Sequence, residues 1–346
     1  MPRISSLALA SAGALLLAAC SDGGSPTAAH PGDAALQTSA PHLGVVRSKL
    51  APPGPLFDGE LNRPGGAGQN PNGPSTQATG TGISYHGGPV LQAQTNVAAV
   101  YWAPTTIYAG GPAPGSNGSG SGDASNVGYF LNHIGGSPYF NINTTYTNSA
   151  GTAIRNVVNY TQYWANNVYS VPSGTKRVTD ATMLAMLQYA FANGKLTYDP
   201  NTLYAIFTQG SVNLGGGFGT QYCAYHSWGN VTVNGVSRQV LYAAMPDAGA
   251  KPSACSNGTP SPNSDPHADA VISVLVHEVE ETTTDMNGNA WYDSVGNENA
   301  DKCAWNFGTT FTTANGGVAN VTLGTKSFLI QQNWINSGSG GCRLSW

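Results

Sequence analysis

Charge is what this chain has least of: Asp, Glu, Lys and Arg make up 9% of its 346 residues, against about a quarter in ordinary soluble domains. Thirteen Lys and Arg, scattered singly against seventeen Asp and Glu, leave a formal net charge of −4. No basic stripe exists to follow a phosphate backbone, so nucleic acid is not an expected partner. The sequence has no Gly-Lys-Ser/Thr phosphate loop and no Gly-x-Ser-x-Gly elbow, which removes the basis for nucleotide and serine-hydrolase readings. It has no Cys-x-x-Cys pair, which argues against a zinc-thiolate site. One absence is local: no Lys or Arg lies between Lys251 and Lys302, yet seven of the seventeen acidic residues fall between His277 and Asp301. So much uncompensated negative charge asks for a cation.

What is present points to export. Met1-Pro2-Arg3 is a short cationic start, and Leu7 to Ala19 is an apolar run too short to span a bilayer. Leu17-Ala18-Ala19-Cys20 closes it as a lipobox would, with Cys20 available for lipidation and so for a membrane anchor on the cell envelope or surface. An ordinary signal peptide cut near Ala19, giving an extracellular protein, is the alternative. Setting Cys20 aside leaves Cys223, Cys255, Cys303 and Cys342, an even set in an exported chain, and two disulfides are expected. Of the three connectivities, Cys223–Cys255 with Cys303–Cys342 is favoured because each closes a moderate loop.

Three regions follow: a signal peptide at 1–20, a Pro/Gly/Ser-rich tether at 21–82 too poor in bulky apolar residues to order itself, and one globular domain at 83–346. Asn96 to Trp102, Arg155 to Tyr163, Thr202 to Thr208, Val231 to Val236, Gln239 to Ala244 and Lys326 to Trp334 read as strands. Gly110 to Gly122 reads as a loop. Asp180 to Asn193 carries Met183, Leu184, Met186, Leu187, Ala190 and Phe191 at helical spacing. A second helix is expected from Asp265, as cap, through Pro266 to about Thr284. Its β-branched run Val271 to Val276 would also suit a buried strand, but cap, length and the Glu run favour helix.

On that helix, His277 and Glu281 stand four apart and share a face, with Glu278 about a hundred degrees round. That is the pattern of the His-Glu-x-x-His metallopeptidase helix with Glu in place of the second His. In such sites the i, i+4 pair binds zinc and the intervening Glu takes a proton from water. Glu298 is the expected third ligand, with Asp301 as substitute ligand or as support for a ligating imidazole. Asp285 and His226 are possible additions, and His86 is more simply a histidine satisfied by backbone groups. Calcium competes for Asp285, Asn287, Asn289 and Asp293, whose spacing matches positions one, three, five and nine of a calcium loop. Ala290 and Gly296 then stand where that loop needs Gly and Glu.

Several further pieces recur in order: Tyr85-His86-Gly87-Gly88-Pro89-Val90-Leu91 before the Val97 to Trp102 strand, Cys223 with His226, and His277-Glu278-x-x-Glu281. Asn289-Ala290-Trp291-Tyr292, Ala300-Asp301-x-Cys303 with Phe307-Gly308, and Phe328-Leu329-Ile330-Gln331 with Trp334 complete them. Together these resemble the Exordium family, the phosphate-induced proteins of plants with bacterial relatives. The resemblance implies an exported, surface-associated protein tied to growth and nutrient status, and carries no settled activity. The lipobox, the tether and Thr284-Asp285-Met286 depart from the plant pattern.

The expectation is a single α/β (α+β), zincin-like domain with a mixed β-sheet, a backing helix and a metal-binding helix. Its function is read as a zinc-dependent, peptidase-like hydrolase. In it His277, Glu281 and Glu298 bind the metal, Glu278 is the general base and Asp301 supports or replaces a ligand. The alternative is a non-catalytic surface module binding a structural metal or calcium and a wall polysaccharide.

Overall fold

Residues 80–167, 178–210, 212, 214, 218–219, 222–256 and 258–346 are described by a computed structural model of the chain. The expected leader, Cys20 and nearly all of the expected tether lie outside those residues. Among the described residues no helix is long and apolar enough to cross a membrane.

The chain enters through β1 (Ser84–Tyr85) and then β2 (Thr95–Trp102), which is buried at every position. A strand covered on both faces needs no polar alternation, and its continuous apolar run reflects that. Next come β3 (Asn117–Ser119), α1 (Asn126–His133), β4 (Val158–Asn166) and α2 (Asp180–Ala192). They are followed by β5 (Thr202–Thr208), β6 (Tyr225–Val233), β7 (Val236–Pro246), the short α3 (Pro252–Cys255) and α4 (Pro266–Thr284). The strand β8 (Trp291–Tyr292) returns to pair with β1.

Six strands form one mixed sheet in the order β3-β4-β2-β5-β7-β6. The four central strands are parallel, and β3 and β6 run antiparallel at the edges. Alternate residues of the central strands serve two cores. Val97, Ala99, Leu203, Ala205, Leu241 and Ala243 face α1 and α4, while Ala98, Val100, Tyr204, Ile206, Tyr242 and Ala244 face α2. The fold is therefore mixed α/β with helices on both faces of the sheet.

Three helices start on capping signals, the first being α1, where Ser125 Oγ accepts from Gly128 N at 3.0 Å. Thr179 caps α2 in a reciprocal box with Thr182, and Asp265 caps α4 by accepting from Ala268 N at 3.1 Å, with Pro266 in the first turn. Two disulfides close as sequential pairs, Cys223–Cys255 and Cys303–Cys342.

Local differences from the sequence reading have identifiable causes. Val231 to Val236 is not one strand, because Asn234 and Gly235 take positive φ and fold a two-residue hairpin between β6 and β7. Lys326 to Trp334 is also interrupted: Lys326–Phe328 and Asn333–Trp334 are strands, and between them the Asn320 side chain bonds both the N–H and the C=O of Ile330 as a neighbouring strand would. The Gly110 to Gly122 loop contains β3 and a short 3-10 turn, and α1 was unforeseen.

Candidate metal centre

From Val271 to its end at Thr284, α4 is buried at every position. A helix without a solvated face belongs in a core, yet this one carries His277, Glu278, Glu280 and Glu281 there. Thr282, Thr283 and Thr284 lie beside them and are themselves 0–1% exposed. Local geometry puts His277 over Glu281, with His277 Nε2 2.9 Å from Glu281 Oε1. The pair is close but not aligned as a hydrogen bond, since His277 Nε2 and Nδ1 are both buried without such a partner. Asp301, on a 3-10 turn (Asp301–Cys303), brings Oδ1 to 3.5 Å from the same nitrogen, and its N–H donates to Glu281 Oε1 at 3.0 Å.

The second imidazole comes from the sheet. His226 lies on the edge strand β6 opposite Ala243. Residues opposite one another across an antiparallel pair project to the same face, and Ala243 faces α4. His226 Nδ1 accordingly sits 3.1 Å from Glu278 Oε2 and 3.5 Å from Glu281 Oε2, and its Nε2 is 3.8 Å from Glu298 Oε1. Glu281 thus shows one oxygen to each imidazole. Among the described residues, two groups of three have ligand atoms close enough together for an ion: His226, Glu278 and Glu281, and His277, Glu281 and Asp301.

Other residues singled out in the sequence divide between this cluster and its surroundings. Asp285 caps the end of α4, accepting from Asn289 N and Ala290 N through Oδ1. Asn287 Oδ1 accepts from Gln239, and Asp293 takes Val295, Asn297 and Lys302 as donors, so these residues of the calcium-loop pattern turn to separate local partners. His86 stacks on Tyr292 at 3.6 Å, away from the cluster. Glu280 turns to another wall, where the Asn143 and Asn333 amides both donate to its Oε2.

Electrostatics follow from this seclusion. Burial pushes Glu278 up to about 7 against the pull of His226 and His277, and pushes Asp285 up to about 6. Burial, with Glu281, Asp285 and Asp301 nearby, holds Glu298 well above the carboxylate range. Burial would raise Glu281 too, but the two imidazoles outweigh it and bring it down. Burial alone would depress both histidines; Glu298, Glu278 and Glu281 hold His226 well above its ordinary value, as Glu281, Asp301 and Glu278 do for His277. Protons shared among such groups are what a divalent cation displaces, because ligation needs neutral imidazole and ionised carboxylate.

The donor set fits a borderline or hard cation, with imidazole nitrogen and carboxylate oxygen and no sulfur. The residue that sequence reasoning placed least well is His226. Extending the Asn234-Gly235 hairpin backwards would have put it on a strand, which is the signal that could have found it.

A match to the phosphate-induced protein 1 conserved region spans residues 135–329 and so includes His226, α4, Glu298 and Asp301. No curated protein and no solved structure matches the chain. With more than half its length inside that conserved region, the chain belongs to the phosphate-induced protein 1, or Exordium, family.

Proposed function

We propose that the chain is an exported, lipid-anchored metal-dependent hydrolase of zincin-like arrangement, acting on peptide bonds. The observation that carries it is Glu281 held between two imidazoles, with His277 Nε2 2.9 Å from Glu281 Oε1 and 3.5 Å from Asp301 Oδ1 in a three-ligand set. The expected ion is zinc, with calcium as the alternative; zinc bound there supplies a Lewis acid that lowers the pKa of water to about 7. His277, Glu281 and Asp301 hold it, and Glu298 lies across His226 as a further carboxylate. Glu278, whose buried Oε1 has no hydrogen-bond partner, accepts a proton. His226 fixes its other oxygen at 3.1 Å. The helix lying against a mixed sheet, followed by a downstream carboxylate, supports the zincin-like reading. The basis for export and anchoring through Cys20 is the leader sequence, with the tether at 21–82 linking anchor to domain.

A second reading has its own observation: apart from Asp301 the cluster is at most 3% exposed, as suits a structural ion in a non-catalytic module that binds wall polysaccharide. Metal content and one variant separate the possibilities. Purified mature protein from zinc-replete medium is expected to carry at least one equivalent by elemental analysis; less than about a tenth ends both metal readings. Glu278→Gln is expected to keep the ion beside His277 and lose at least about a hundredfold in peptide hydrolysis. Wild-type protein that holds metal but cleaves no peptide library supports the structural reading instead.

A further inference from the structure

We propose that this cluster seats two divalent cations bridged by the Glu281 carboxylate. One lies among His277 Nε2, Asp301 Oδ1 and Glu281 Oε1, the other among His226 Nδ1, Glu278 Oε2 and Glu281 Oε2. The inference rests on the metal-centre reading above and deepens it from one ion to two.

Geometry carries it first. The two triads share Glu281 and nothing else, and its oxygens face different imidazoles at 2.9 Å and 3.5 Å. Within the second triad the spacings from His226 Nδ1 are 3.1 Å and 3.5 Å, and within the first those from His277 Nε2 are 2.9 Å and 3.5 Å. Tetrahedral zinc with bonds of about 2.0–2.2 Å separates neighbouring ligand atoms by roughly 3.3 Å. The imidazole–carboxylate spacings in both triads bracket that value, and the two imidazoles fall in separate triads that meet only at Glu281.

Unsatisfied groups carry it second. Glu281 Oε2, Glu278 Oε1 and both oxygens of Glu298 are buried without a hydrogen-bond partner, and of these Glu281 Oε2 and Glu298 Oε1 face His226. Glu298 is 1% exposed, with Oε1 3.8 Å from His226 Nε2. A dry carboxylate without a donor is costly, and an ion beside Glu281 Oε2 gives this group a positive neighbour. Charge points the same way. Glu278, Glu281 and Asp301 in the triads, with Glu298 and Asp285 beside them, outnumber the two imidazoles, so the cluster holds more anionic ligands than one divalent ion needs.

Glu278 then holds an ion through Oε2 while Oε1 and the Glu298 carboxylate remain to take up a proton. A bridged pair supplies a two-metal clamp on a substrate oxygen, with ions about 3.5–4 Å apart.

The test is stoichiometry. Mature protein stripped with chelator, titrated with zinc chloride and freed of excess ion is expected to retain two equivalents by elemental analysis. His226→Ala and His277→Ala are each expected to retain one. A single equivalent in the wild type, unchanged in His226→Ala, overturns the bridged pair and leaves the single-ion reading standing. No retained zinc overturns both. Two equivalents that persist in His226→Ala also overturn the pair, because the second ion then sits elsewhere. Should a variant fail to fold, zinc-soaked wild-type crystals measured on either side of the zinc absorption edge decide the matter. Two anomalous peaks flanking Glu281 are expected, and one peak overturns the proposal.

Discussion

Glu280 shows how finely position decides the fate of a carboxylate on α4. It stands next to Glu281 in the chain yet faces the amides of Asn143 and Asn333, and burial raises its pKa well above the usual range. Glu280→Ala would leave two buried amides without an acceptor and is expected to cost about 2–4 kcal/mol in urea unfolding. Glu280→Gln keeps the acceptor and should cost less than about 1 kcal/mol. Asp293 behaves in the opposite sense. Burial would raise it, but Asn297, Val295 and Lys302 outweigh burial and hold it below its ordinary value. A depressed carboxyl contributes stability above its unfolded pKa of about 4, which is lost as pH falls through the folded value. Asp293→Asn should therefore lower stability by about 1 kcal/mol at pH 7, a difference that vanishes in acid. At this scale the sequence was partly legible: His277 and Glu281 follow from helical spacing, and Glu298 and Asp301 from their place in an acidic stretch without cations. That Asp301 goes to His277 and Glu298 to His226 depends on the path of the chain after β8, and no local pattern encodes it.

Among the elements, α4 was the most readable, because Asp265, Pro266 and the long apolar body agree with one another. Asp265 accepts from Ala268 N and also from Ala109 N at 3.0 Å, so Asp265→Ala is expected to cost about 1–2 kcal/mol, seen as a lower thermal midpoint. The sheet edge was harder. Its strand β6 mixes His226, Trp228, Gly229 and Asn230, and an apolar pattern alone starts it too late, at Val231. Gly229 has a packing reason: a Cβ there would meet Leu184 Cδ1 at 2.6 Å, so α2 lies directly on this strand. Asn320 standing in for a strand neighbour at Ile330 is a tertiary contact, invisible to propensity, and it explains why an apparently continuous strand splits in two.

For the molecule as a whole, strand order could not be read from periodicity, since β2 pairs with β4 and β5 across long intervals of chain. The disulfides could, because few cysteines leave few choices. Cys303–Cys342 ties the turn bearing Asp301 to the C-terminal segment across 39 residues, beyond the end of the family match at 329. Replacing both with Ser is expected to lower stability by about 3–4 kcal/mol and to weaken zinc retention, measurable as a higher free-ion concentration at half-loading. The cluster's seclusion also has a kinetic side. Asp301, with 15% of its side chain accessible, is the one opening to solvent among the two triads. An ion lodged behind it leaves no faster than the surrounding walls breathe. Removal by chelator should then proceed at a rate independent of chelator concentration, and the protein would keep whichever cation it met while folding.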